Sequence, residues 1–104
     1  MIQPAFRPRS AMASSTKGKK RVQFTFNTTP GATVAVAGAF NGWDPASHPL
    51  SDRAGTGQFS RAVFLPKGTY EYRFVVNGRW CEDPQGAGRK PNAFGGFNSV
   101  LVVA

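Results

Sequence analysis

Val34-Ala35-Val36-Ala37-Gly38-Ala39-Phe40-Asn41-Gly42-Trp43-Asp44 begins as a strand and ends as a turn. Val34 and Val36 fall on one face of an extended chain and Ala35 and Ala37 on the other, because strand side chains alternate. Gly38 frees the backbone for a bend. Asn41-Gly42 is a turn dipeptide, since both residues tolerate positive φ cheaply. Trp43 follows directly, so a large aromatic is carried out of the strand onto a loop, and Asp44-Pro45 closes the segment. The arrangement occurs again: Phe74-Val75-Val76 runs into Asn77-Gly78, and Trp80 follows. Two strand–turn–tryptophan units in 104 residues are the pattern to explain.

The segments on either side read the same way. Val22, Phe24 and Phe26 alternate with Gln23, Thr25 and Asn27, a half-buried strand. Thr29-Pro30-Gly31 is a turn, and the next strand covers 33–37. Residues 44–57 are rich in Pro, Ser, Asp and Gly and predict a long surface loop, with Leu50 its one core contact. A third strand covers 58–65, and Pro66-Lys67-Gly68 turns the chain. In 69–76, Tyr70, Tyr72, Phe74 and Val76 face one way and Glu71, Arg73 and Val75 the other. Asn77-Gly78 is a two-residue hairpin signal leading into Arg79-Trp80-Cys81. Residues 83–97 predict another loop, and 98–103 a last, almost wholly apolar strand. No stretch has helical period free of Gly or Pro. Short strands at close spacing, broken by turns, predict an all-β, Ig-like antiparallel β-sandwich.

The chain is long enough for one domain. Its formal charge of +8 is unevenly spread. Arg7, Arg9, Lys17, Lys19, Lys20 and Arg21 stand without an acid, so residues 1–21 contribute +6 and the remainder +2. Residues 1–20 also carry prolines and serines without apolar period, which predicts a disordered basic leader ahead of a domain at 21–104. Such a leader attracts anionic surfaces without sequence specificity. With only +2 in the domain, an electrostatic groove for nucleic acid is not expected. Neither a signal peptide nor a membrane span is evident. The lone Cys81 permits no internal disulfide, which points to a reducing, cytoplasmic setting.

Catalysis is poorly provided for. The five acids are Asp44, Asp52, Glu71, Glu82 and Asp83, and two of them precede prolines, where turn formation explains them. The only histidine, His48, lies in a loop beside Pro49 with no nucleophile partner evident. One His and one Cys cannot supply a zinc site with its usual ligands, so no metal or cofactor is expected. Binding is better provided for. A sugar ring offers an apolar C–H face and a rim of hydroxyls. Tryptophan matches the face and carries one N–H. Asparagine supplies donor and acceptor, and arginine supplies donors on a long stem. Trp43, Trp80, Arg73 and Asn98 are such groups. Each alone also has an ordinary structural explanation: a core aromatic, a solvated strand residue, a strand cap.

Taken together, Gly38 to Trp43, Leu65 to Trp80, Asp83-Pro84 and Phe94 to Leu101 resemble the glycogen-binding module, carbohydrate-binding module family 48. This module occurs in the β subunit of AMP-activated kinase and at the N-terminus of branching and debranching enzymes. The resemblance covers about residues 21–104. It implies an Ig-like sandwich of the early-set type and a non-catalytic binder of α-1,4-glucan such as glycogen, maltooligosaccharide or cyclodextrin. It further implies that Trp43 and Trp80 stack on successive glucose units, and that Arg73 and Asn98 reach sugar hydroxyls. Where the kinase type has leucine and threonine ahead of the last strand, this chain has Phe94 and Gly96. Phe94 would be a bulkier apolar contact, and a polar contact is lost at Gly96. Enzyme-attached members of the family also pack against catalytic domains. The alternative function is therefore a protein-docking, adaptor or regulatory module for a glucan-metabolising enzyme or kinase, with little sugar binding of its own.

Overall fold

Alternation and turn chemistry build a two-layer antiparallel β fold, seen in a computed structural model that describes residues 18–93 and 95–104. Its strands are β1 (Lys19–Asn27), β2 (Val34–Gly38), β3 (Gln58–Pro66), β4 (Gly68–Val76), β5 (Arg79–Cys81), β6 (Gly88–Pro91) and β7 (Phe97–Val103). One sheet pairs β1 with β3, Asn27 opposite Gln58 and Lys19 opposite Pro66. The other runs β2-β4-β7-β6, with β5 added to β4. The only helical turn among the described residues is a single 3-10 turn, Ala39–Asn41. The all-β sandwich expected from the sequence is the fold observed. The proposed leader falls almost wholly on residues 1–17, outside the described residues.

The core lies between the sheets. Phe24, Phe59, Val63 and Leu65 come from the smaller sheet and Val34, Val36, Tyr72, Phe74 and Val103 from the larger. Phe24 joins the layers directly. Its ring is 5.6 Å from Phe40, 5.2 Å from Tyr72 and 6.4 Å from Phe74. Phe74 has no exposed surface and also meets Phe26 at 5.0 Å. Full burial of each such side chain contributes roughly 1.5–3 kcal/mol. Leu50 plugs the core from the 44–57 loop, as its lone apolar character predicts, and is held by a hydrogen bond from its N–H to Val34 O of 2.8 Å.

Two buried polar ties complete the interior. Tyr72 donates its hydroxyl to Asp83 Oδ2 at 2.5 Å. The Asp83 N–H donates to Ser99 Oγ at 2.9 Å. Burial, with the Asp83 carboxylate alongside, pushes the Tyr72 hydroxyl well above the ordinary tyrosine range.

Three local expectations need correction. The segment 83–97 is not all loop, because it contains β6. All four residues of β6 are exposed, so it lacks the apolar alternation by which a strand is recognised. The first strand starts at Lys19 rather than Arg21, since Lys20 and Leu65 pair across the sheet. In the first Asn-Gly turn, positive φ falls on Gly42 and Trp43 (67° and 61°), not on Asn41. Asn41 instead ends the 3-10 turn. The second turn behaves as expected: Asn77 and Gly78 both have positive φ (50° and 83°), the type I′ geometry that joins β4 to β5.

Gly38 stands where β2 approaches β4 too closely for a side chain. A Cβ there would lie 2.7 Å from Glu71 O and 2.8 Å from Tyr72 Cβ. Gly38→Ala is therefore expected to destabilise the fold by about 1–3 kcal/mol, the scale of overpacking a filled interior. Urea unfolding followed by tryptophan fluorescence measures it; an unchanged midpoint would contradict the close approach.

Candidate functional site

The strand register decides which side chains share the outer face of the larger sheet. Directly opposed residues in an antiparallel ladder point the same way. Ala37 opposes Arg73, and Ala35 opposes Val75. Val75 in turn opposes Trp80, which places Trp80 on the Arg73 face. Glu71 opposes Val100, and Asn98, two residues before Val100, opposes Lys90. Glu71, Arg73, Trp80, Asn98 and Lys90 thus stand together on the side away from the core. The type I′ turn sets this register, because a one-residue slip would send Trp80 to the other face.

These residues, with Trp43, Pro91, Asn92 and Ala93, line an open groove of about 750 Å³. Four of the five residues singled out from the sequence therefore meet: Trp43, Trp80, Arg73 and Asn98. The fifth, Phe94, lies outside the described residues. Neither tryptophan is a core residue. Trp80 is 42% exposed, on a three-residue strand, and Trp43 is half-buried. Arg73 donates from Nη2 to Trp80 O at 3.1 Å, which ties it to the backbone carrying that ring. Its Nε is buried without an acceptor.

Asn98 is more deeply set than a free hydroxyl ligand would be, with 8% of its surface exposed. It donates from Nδ2 to Glu71 Oε1 at 3.1 Å and accepts at Oδ1 from Asn92 Nδ2 at 3.2 Å. Glu71 Oε2 also faces Lys90 Nζ at 3.6 Å. A polar row Lys90–Glu71–Asn98–Asn92 lies in the groove beside the tryptophans. Glu71, Lys90 and Asn92 were not singled out from the sequence. Glu71 could have been, as the outward neighbour of Arg73 in the alternation of β4. Lys90 and Asn92 could not, because β6 has no apolar period to locate it.

The Trp43 loop is fastened from within. Asn41 Oδ1 accepts from the N–H groups of Gly38 and Asp44 at 3.0 and 3.3 Å. Asn41 Nδ2 donates to Val36 O at 3.1 Å and meets His48 Nδ1 at 2.8 Å. Trp43 donates its own N–H to Gly38 O at 2.9 Å. Bonds on both sides of it hold Trp43 in its left-handed backbone, a conformation that is uncommon for a bulky residue.

All five carboxylates are engaged. Asp44 accepts from Ala46 N–H and the Ser47 hydroxyl. Asp52 accepts from the Thr56 and Gly57 N–H groups. Asp83 holds Tyr72 and the Gln85 N–H. Glu82 pairs with Arg89 at 3.1 Å, and Glu71 with Asn98 and Lys90. The groove itself holds one carboxylate, Glu71, whereas glycoside hydrolysis uses two facing each other.

Residues 20–104 match the family described as the glycogen recognition site of AMP-activated protein kinase. The chain belongs to this glycogen-recognition family. The module is a non-catalytic one for carbohydrate. Among curated relatives it is similar to Protein FLOURY ENDOSPERM 6, chloroplastic, of Oryza sativa subsp. japonica, with 37% identity over 57 residues. That match takes in 55% of this chain and 10% of the rice protein. Protein PTST homolog 2, chloroplastic, of Arabidopsis thaliana is 33% identical over 72 residues, 68% of this chain and 13% of that protein. The 5'-AMP-activated protein kinase subunit beta-1 of Sus scrofa is 35% identical over 57 residues, 55% of this chain and 43% of the subunit. The chain spans less than half the length of each of these relatives.

Glu71→Ala is expected to free the Asn98 amide and cost about 1–2 kcal/mol, since a nearly buried donor loses its acceptor. Glu71→Gln keeps an acceptor and costs less. Proton exchange of the Asn98 side-chain amide by NMR separates the two; equal exchange in both variants would rule out the bond.

Proposed function

We propose that this glycogen-recognition module binds α-1,4-glucan in the groove between Trp43, Trp80 and the Lys90–Glu71–Asn98 row. The observation that carries the reading is the convergence of both tryptophans with Arg73 and Asn98 on one open face. Trp43 and Trp80 stack on glucose rings of a glycogen or starch-like chain, maltooligosaccharide or cyclodextrin. Arg73 has one of its five N–H donors committed to Trp80 O and offers others to hydroxyls. Asn98 retains a second Nδ2 proton for the sugar, and Phe94 is assigned a further apolar contact with it.

A second reading draws support from the relatives. One of them, from Arabidopsis thaliana, is a SNF1-related protein kinase regulatory subunit beta-2, 38% identical over 55 residues. The module would then dock on a kinase or glucan-metabolising enzyme and bind little sugar of its own. Phe64 and Val102, 44% and 69% exposed and absent from the groove lining, are the large apolar side chains such a partner would cover. A reducing compartment suits the single cysteine: the cytoplasm, or the chloroplast in which two relatives are named. No helix among the described residues is long and apolar enough to cross a membrane.

Titration with β-cyclodextrin or maltoheptaose should give a saturable change in tryptophan fluorescence, and cellobiose should give none. Trp43→Ala or Trp80→Ala should weaken binding by about 1–3 kcal/mol, the scale for losing a buried aromatic anchor. Unchanged affinity in either variant would remove that residue from the platform. No response from the folded parent would leave the docking role as the better reading.

A further inference from the structure

We propose that Asn41 and His48 are positioning residues for Trp43, and that glucan affinity falls when His48 gains a proton. This rests on Trp43 being part of the sugar platform. The Asn41 amide is fixed in orientation by three bonds that do not involve His48. Oδ1 accepts from the Gly38 and Asp44 N–H groups, and one Nδ2 proton goes to Val36 O. The remaining Nδ2 proton points at His48 Nδ1, 2.8 Å away. His48 Nδ1 therefore carries a lone pair, and the ring proton sits on Nε2.

Protonation makes both ring nitrogens donors, so Nδ1–H would face Nδ2–H. Asn41 cannot relieve the clash by turning its amide over. That would set Nδ2 against the Gly38 and Asp44 N–H groups and Oδ1 against Val36 O. Either the His48 ring or the Asn41 amide must leave. Asn41 is what brackets Trp43: its bonds reach Gly38, which receives the Trp43 N–H, and Asp44, which follows Trp43. Releasing the Asn41 side chain removes its share of the support for the left-handed backbone at Trp43, whose φ is 61°, and leaves only the backbone bonds from Trp43 N–H to Gly38 O and from Asp44 N–H to Asn41 O.

The surroundings favour the neutral ring. Burial lowers the His48 pKa from its ordinary 6.5, and the Arg61 guanidinium lowers it further. Arg61 comes from β3 and is itself held by a hydrogen bond from Nη1 to Pro49 O at 3.1 Å. Phe40, from the 3-10 turn, meets the ring edge to face at 5.7 Å. Tyr70 of β4 lies beyond Phe40 at 6.3 Å. Asp44, on the same loop, spends its oxygens on Ala46 and Ser47. β2 presents the Val36 N–H to His48 O at 3.1 Å. With the folded pKa below the unfolded one, the contribution of this contact is complete above 6.5 and is lost as pH falls through the lowered value.

The test is calorimetric titration of the full chain with β-cyclodextrin between about pH 7.5 and about pH 5.0, the window of histidine titration. The parent is expected to bind about three- to tenfold more weakly at the acid end, the scale of one net hydrogen bond. His48→Asn keeps an acceptor near the Nδ1 position and cannot titrate, so it should bind with a flat profile. His48→Phe removes the acceptor and should show the weak, acid-like affinity at every pH. Ring 15N shifts of His48 and the Trp43 backbone N–H signal, followed without sugar, report the tautomer and the loop. A flat parent profile while His48 titrates by NMR would overturn the inference. So would a pH dependence that survives in His48→Asn. Should the parent bind no glucan at either pH, the sugar reading fails instead. The inference then stands or falls on whether the Trp43 signal moves with His48 titration in the parent and not in His48→Asn.

Discussion

The two faces of β4 bear opposite demands, and the rest of the molecule is arranged around satisfying both. Tyr72 and Phe74 point inward and bring the sheets together. Glu71, Arg73 and Val75 point outward, where β2, β5 and β7 are paired to the same strand. An error of one residue in any of these pairings would bury Arg73 or expose Phe74. Register is therefore specified as strongly by the core as by the hydrogen bonds. The outward group inherits that specification, since groove residues come from strands whose inward neighbours cannot shift.

Much of this was legible from residue order. Val34 to Gly38, the alternation in β4 and the Asn77-Gly78 turn need only the period of a strand and the steric freedom of Asn and Gly. The convergence of Trp43, Trp80, Arg73 and Asn98 follows from those pairings together with the family resemblance. What escaped was of another kind. β6 is exposed at every position and owes its existence to pairing with β7, so no periodicity announces it. Asn41 looked like half of a turn dipeptide. Its side chain instead satisfies groups on both sides of the loop and also meets His48, folded back from seven residues later. Asn98 looked like an available ligand and is largely enclosed. The Glu71 contact that encloses it crosses 27 residues of sequence.

The distribution of charge distinguishes recognition from chemistry. Each carboxylate is taken up by a loop N–H, a hydroxyl, an amide or a cation, and three of them shape loops rather than the groove. A buried or clustered acid could shift its pKa toward a catalytic role. Here Asp44 and Asp52 sit in the loop between β2 and β3, Glu82 and Asp83 follow β5, and Glu71 stands on β4, each close to the partner it neutralises or orients. Two aromatic rings and a row of fixed polar groups remain on the outer face. That combination suits a neutral polyhydroxylated ligand better than a reacting one.

The bond from Arg73 to the carbonyl of Trp80 has a kinetic consequence. It adds a side-chain tie to the ladder that joins the short β5 strand to its neighbour β4, so the backbone carrying the ring is held from two sides. Encounter then requires no gating motion of β5. Less ordering entropy is spent when a binding partner settles on the ring, and differences in affinity among related partners fall mainly on the rate of escape.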